Sequence, residues 1–234
     1  MTAPTVLPRR TRTRRRLWWT LGIAVVLLLG LLGTAMAVVA LQPAAAPLTL
    51  PPAGSVAPAG PMPAQWRIAS GSAAGFRVEQ TFLGATSEVT GRTEGVTGAM
   101  TMTGNRIDSV EATIDLLGLT TDGKQPAPQF ATSLETGRFP HATVRLAEPV
   151  SLDDAFASGA TTEFSAIGEL TLHGVTHRAP AALTARRDAT GIAVTGSLPV
   201  HFADWSIAEP EGYGALGSLA DHGTAEFRLI LHAG

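Results

Sequence analysis

Glu163-Phe164-Ser165-Ala166-Ile167-Gly168-Glu169-Leu170-Thr171-Leu172 is the stretch on which the fold turns. Every second residue, Phe164, Ala166, Gly168, Leu170 and Leu172, is apolar or small, and Glu163, Ser165, Glu169 and Thr171 stand between them with Ile167. Successive side chains of a strand point to opposite faces, so a period of two marks a strand with one face buried and the other solvated. Antiparallel sheets are built from such strands.

The same period recurs on both sides of this stretch. Upstream, Val96, Gly98, Met100 and Met102 alternate with threonines and Ala99, and Val110, Ala112, Ile114 and Leu116 alternate with Ser109, Glu111, Thr113 and Asp115. Downstream, Ile192, Val194, Gly196 and Leu198 form one run and Phe227, Leu229 and Leu231 another. Turn-forming clusters separate the runs, among them Thr103-Gly104-Asn105 and Asp188-Ala189-Thr190-Gly191. One stretch, from about Ala127 to Leu134 after Pro126 and Pro128, reads as a short helix. The fold class is therefore all-β, with about eight antiparallel strands and one short helix over residues 64–234. Open sheet edges invite aggregation, which predicts that the sheet closes or stacks. An eight-stranded barrel has an interior that side chains fill or that holds one small ligand.

The first 63 residues differ in kind. Arg9, Arg10, Arg12, Arg14, Arg15 and Arg16 lead into an uncharged run from Leu17 to Leu41. At 1.5 Å per residue this run makes a helix of roughly 37 Å, enough to cross a hydrocarbon core of about 30 Å. The arginines place residues 1–16 in the cytoplasm and the chain beyond 41 outside it, as a single-pass membrane protein. A second reading stays open, a signal peptide cleaved after Ala37 at the Ala35-Met36-Ala37 site. Between residues 42 and 63 stand Pro43, Pro47, Pro51, Pro52, Pro58, Pro61 and Pro63 among alanines and no charged residue, the composition of a semi-extended linker.

Composition narrows the chemistry. Cysteine is absent, which removes disulfides, thiol nucleophiles and cysteine–zinc sites. The six leading arginines leave 11 of the 17 Lys and Arg downstream against all 19 Asp and Glu. This acidic domain is a poor partner for nucleic acid. The histidines His141, His173, His177, His201, His222 and His232 form no ligand set of metal-binding spacing. No G-x-S-x-G elbow or nucleotide-binding glycine motif is present. The carboxylate pairs Asp153-Asp154 and Glu209/Glu211 sit in polar, loop-like contexts without the apolar setting that tunes acid–base catalysts. The expectation is a protein that is not an enzyme and holds no metal or organic cofactor.

Several segments together resemble the YceI-like family. Gly168-Glu-Leu-Thr-Leu-His-Gly-Val-Thr-His177 is similar to its "G-x-L-t-i-h-G-v-T-k", and Ser109-Val-Glu-Ala-Thr-Ile-Asp115 to its "s-v-x-a-x-i-d" strand. Residues 64–78 resemble its opening strands, Gly91–Gly95 its "G-x-F" strand and turn, Phe139–Val144 its "yP-x-a-x-F" segment and His201–Ile207 its "i-x-r-x-d-f-g-i" strand. The resemblance implies a lipocalin-like barrel, exported, that binds polyisoprenoids or isoprenoid quinones. It also shows a departure. The family's "R-D-x-H-L" element before the short helix is replaced here by Asp122-Gly-Lys-Gln-Pro-Ala-Pro-Gln-Phe130.

The candidate ligand-binding residues are the inward-facing apolar ones. They are Phe76, Val78, Met100, Met102, Val110, Ile114, Leu116, Phe164, Leu170, Leu172, Val194, Leu198, Phe202, Phe227 and Leu229. A packed and a hollow barrel both satisfy this pattern. The small inward residues Gly98, Ala112, Ala166, Gly168 and Gly196 favour room inside, and Met100 and Met102 suit an adaptable apolar wall. The function this predicts is a membrane-anchored, extracytoplasmic protein that holds or ferries an isoprenoid lipid. The alternative is a solid-cored envelope domain whose acidic loops at Asp153-Asp154 and Glu209–Glu211 meet a protein partner.

Overall fold

A computed structural model describes residues 45–55, 61–121, 128–208 and 217–234. The tail and membrane segment expected at 1–16 and 17–41 lie outside them. Among the described residues no helix is long and apolar enough to cross a membrane.

The chain runs β1 (Gln65–Ile68), β2 (Ala73–Phe82), β3 (Ala85–Thr93), β4 (Val96–Thr103), β5 (Arg106–Asp115), α1 (Pro128–Ser133), β6 (His141–Leu146), β7 (Val150–Ser151), α2 (Asp154–Ala157), β8 (Thr162–Leu172), β9 (Val175–Arg187), β10 (Ile192–His201), β11 (Gly217–Leu219) and β12 (His222–Ala233). Neighbouring strands pair antiparallel in the order β1-β4-β5-β6-β8-β9-β10-β12, and β12 pairs back to β1, closing a barrel of eight. Closure satisfies the backbone groups that an open sheet leaves at its edges.

Two of the staves are bent. β1 and β2 both pair with β12, Ile68 opposite Leu231 and Ala73 opposite Arg228, so they are two halves of one strand. The corner lies between them. Gly71 has φ 88°, a value that glycine adopts without steric cost. Ser72 Oγ donates to the Ala69 carbonyl at 2.8 Å and accepts from the Ile230 amide at 2.9 Å. β3 likewise runs on into β4, so that β2 and β3 stand together as a hairpin on the barrel wall.

The turns expected at Thr103–Asn105 and Asp188–Gly191 form where the sequence placed them. Asp188 Oδ1 accepts from the Thr190 amide and hydroxyl, at 2.8 and 2.6 Å, and from the Gly191 amide at 3.2 Å, which shapes the β9–β10 turn. The His173-Gly174 turn between β8 and β9 has both residues at positive φ, 54° and 75°, the geometry that matches strand twist in a two-residue hairpin.

The structure departs from the sequence reading in three places. Among the described residues there are two short α-helices, not one. α2 is a single turn that Asp153 caps, its carboxylate accepting from the Phe156 amide at 2.9 Å, and four residues carry no detectable period. The segment His201–Ile207 leaves the sheet after His201 and makes a 3-10 turn over Phe202–Trp205. The linker expected over 42–63 is not free of the domain in its described part, since the Ala45, Pro51 and Ser55 carbonyls accept hydrogen bonds from Arg77, Arg186 and the Ala189 amide.

Candidate functional site

Inside the barrel lies a cavity of about 220 Å³ with an almost wholly apolar wall. Its origin is the alternation itself. β8 turns Phe164, Ala166, Leu170 and Leu172 inward. β5 adds Val110, Ala112 and Ile114, β10 adds Val194 and Leu198, and β12 adds Phe227 and Leu229. Phe76, Val110, Phe164, Leu172 and Phe227 point inward yet are only half-buried, because the space they face is not filled by other side chains.

Of the fifteen inward residues named from sequence, fourteen border this cavity. Met102 does not. A register shift between Thr101 and Met102 sets it opposite Ile107, within the packed core that also contains Trp66, Leu152 and Phe156. The small residues have divided roles. Ala112, Ala166 and Gly168 line the cavity. Gly196 leaves no void, because a Cβ there would lie 2.5 Å from both the Leu183 and Phe227 side chains, which already occupy that place.

Sequence reasoning missed Ala179, Ala181 and Leu183 of β9 and Val144 and Leu146 of β6, all on the wall. In β9 the outward positions include Pro180 and Ala182, so the polar half of the alternation is faint. β6 has only six residues.

The two ends of the barrel differ. At the α2 end the fully buried Phe156 packs in one core with Leu152, Ile107, Met102 and Trp66, whose indole donates to the Pro63 carbonyl at 2.9 Å. At the α1 end the cavity is bordered by Ser133, the last residue of α1, by Leu134 just after it, and by Phe202 and Ile207. Buried Trp205 sits there, its indole donating to the Leu170 carbonyl at 3.1 Å. His173 joins the segments of this end. Its Nδ1 lies 3.2 Å from the Trp205 carbonyl, its Nε2 3.5 Å from Glu135, and its ring packs 4.6 Å from Phe139.

Among the described residues the wall turns almost no polar surface toward the cavity. Among the described residues no group of three or more His, Asp and Glu could hold a metal ion. Asp153 caps α2 and accepts from Thr162, and Asp154 accepts from Asn105 at 3.2 Å. This acidic pair thus has structural duties. Glu209 and Glu211 lie outside the described residues.

The outer face does hold one buried ionic cluster. Glu226 of β12 is 6% exposed and accepts from Arg92 Nη2 at 2.8 Å and Nε at 3.2 Å, with Arg77 Nη2 at 3.5 Å. Arg77 also bonds Glu88 at 2.8 Å. Burial pulls the Arg77 pKa down, but the bond to Glu88 and the charge of Glu226 outweigh it and hold the group above its usual value.

A polyisoprenoid binding domain from Saccharophagus degradans, implicated in plant cell wall breakdown, superposes with a TM-score of 0.56 at 21% identity, over 74% of this chain and all of that one. BcnA of Burkholderia cenocepacia gives a TM-score of 0.48 at 15% identity, over 68% of this chain and 95% of that one. No curated protein matches the chain. The first likeness bears out the closed antiparallel barrel. The family model of the YceI-like domain matches residues 66–230, and the chain, an all-β barrel around an apolar cavity, therefore belongs to the YceI-like family.

Proposed function

We propose that the barrel binds one long apolar lipid, a polyisoprenoid or isoprenoid quinone, and holds or ferries it without chemical change. The observation that carries this reading is the cavity inside the barrel with its apolar wall. Burying a CH₂ group is worth about 0.8 kcal/mol, so a five-carbon isoprene unit contributes roughly 4 kcal/mol before the costs of ordering it. Such a ligand needs no polar recognition, and the wall supplies almost none. The printed description of the Saccharophagus domain as polyisoprenoid binding supports the same ligand class.

The sequence supports the setting. The arginine-flanked run from Leu17 to Leu41 anchors the protein in the membrane with the barrel outside the cytoplasm, close to the source of such lipids. Among the described residues the cavity wall is almost wholly apolar, which supports binding over catalysis.

Mass spectrometry of apolar lipids that co-purify with the full chain tests the proposal. One isoprenoid species should be enriched over bulk membrane lipid and should be lost when Ala181→Phe fills the cavity. Equal lipid profiles for the two proteins would overturn the reading.

A further inference from the structure

Alternation places Thr90, Ala193, Thr195 and Glu226 on the outside of the barrel, yet their exposures are only 4%, 7%, 9% and 6%. Residues 45–55 run over this face. The Ala45 carbonyl accepts from Arg77 at 2.7 Å and the Ala46 carbonyl from Arg92. The Leu48 amide donates to Glu226 at 3.4 Å, and the Pro51 carbonyl accepts from Arg186 at 2.6 Å. Beyond them Gly54 donates to Asp188, and the Ser55 carbonyl accepts from the Ala189 amide at 3.3 Å. The chain thus crosses β2 and β3, then β12, then β9 and the β9–β10 turn.

Each of these contacts reads the backbone of residues 45–55 and none reads a side chain. The segment is uncharged, and Pro47, Pro51 and Pro52 favour an extended course with carbonyls free to accept. On the barrel side the partners include arginines from three strands, two of which, Arg77 and Arg92, are joined through Glu226.

What the segment crosses is a hairpin that is strand-paired mainly on one side. On one side the β2–β3 hairpin pairs with β12 over Thr224–Arg228 and with the short β11. On the other, among the described residues, β3 is held by a single bridge between Arg92 and Thr120. The inner face of this hairpin contributes Phe76 and Val78 to the cavity. Arg77 lies on β2 and Arg92 on β3, so the two contacts nearest residue 45 both grip the hairpin, and Glu226 ties it to β12.

We propose that residues 45–55 are a strap that holds the β2–β3 wing shut against the barrel, and that an apolar ligand passes through the wall at this wing at a rate set by whether the strap is docked. This rests on the lipid-binding reading above.

The test locks the strap in place. A Cβ at Gly54 would lie 3.6 Å from the Asp188 Cβ, within the range a disulfide spans, and the natural chain has no cysteine to compete. The full chain carrying Gly54→Cys and Asp188→Cys, in phosphatidylcholine nanodiscs, is loaded with anthroyloxy-labelled stearate. Release into excess protein-free vesicles is then timed for the oxidised and reduced forms of the same protein. Release at least fivefold slower when oxidised is expected, with Arg77→Gln/Arg92→Gln at least threefold faster than the natural chain. Equal rates in the two redox forms, or failure of the disulfide to close in the folded protein, would overturn the strap. If no form shows a protein-bound probe phase, the lipid-binding reading itself falls, and the strap's role in release falls with it.

Discussion

The two ends of the barrel are written in the same alternating code and have opposite interiors. At the α2 end the inward residues meet a plug, Phe156 on its one-turn helix, and pack to closure with Leu152, Ile107 and Trp66. Along the rest of the barrel Phe76, Phe164 and Leu183 remain half-buried around a cavity. Whether an inward strand residue becomes core or cavity wall is thus decided by a connection outside the strands. At one end side chains stabilise the fold; at the other they shape what it can hold.

This division is testable by moving volume. Phe156→Ala should have the largest effect, a loss of about 3–5 kcal/mol in denaturant unfolding, because it removes a fully buried aromatic ring and leaves a void in its place. If Phe156→Ala costs under about 1 kcal/mol, the α2 end is not the packed end. Leu183→Ala on the cavity wall should cost no more than about 2 kcal/mol, the low end for such changes, because its side chain already faces open space. A cost equal to that of Phe156→Ala would erase the distinction.

Filling rather than emptying gives the next test. Ala181→Phe should weaken binding of a labelled fatty acid at least tenfold, about 1.4 kcal/mol, while unfolding changes little. Severe destabilisation would mean that the cavity is already filled.

The smallest expected effect is electrostatic and belongs to the α2 end. Burial pushes the Asp188 carboxyl up, but bonds from Thr190, Gly191 and Gly54 outweigh it and hold it below the usual aspartate value. A carboxyl depressed in the folded state adds stability that is present above its unfolded pKa and is lost as the pH falls through the folded one. Below about pH 4 the natural chain should therefore lose stability more steeply than Asp188→Asn. Parallel acid profiles for the two proteins would remove Asp188 from the account.

Much of this was legible in the sequence, and the exceptions have physical reasons. β8 could be read because Phe164, Leu170 and Leu172 stand against Glu163, Ser165 and Glu169. β9 could not, because Pro180 and Ala182 on its outer face resemble its inner residues. The hollow itself was only favoured from sequence, since a void depends on what the connections insert. α2 is too short for periodicity to register. The docking of residues 45–55 was hidden more deeply. Its determinants are Arg77, Arg92, Arg186 and Glu226, far along the chain, and the docked segment offers only its backbone.

The plugged end has a further consequence for length. A compartment shut at one end does not reject a chain that is too long; the excess stays outside. Affinity along a homologous series of isoprenoids should climb with each added unit until the space is full and then level off. The barrel would then set a minimum length for its occupant and no maximum.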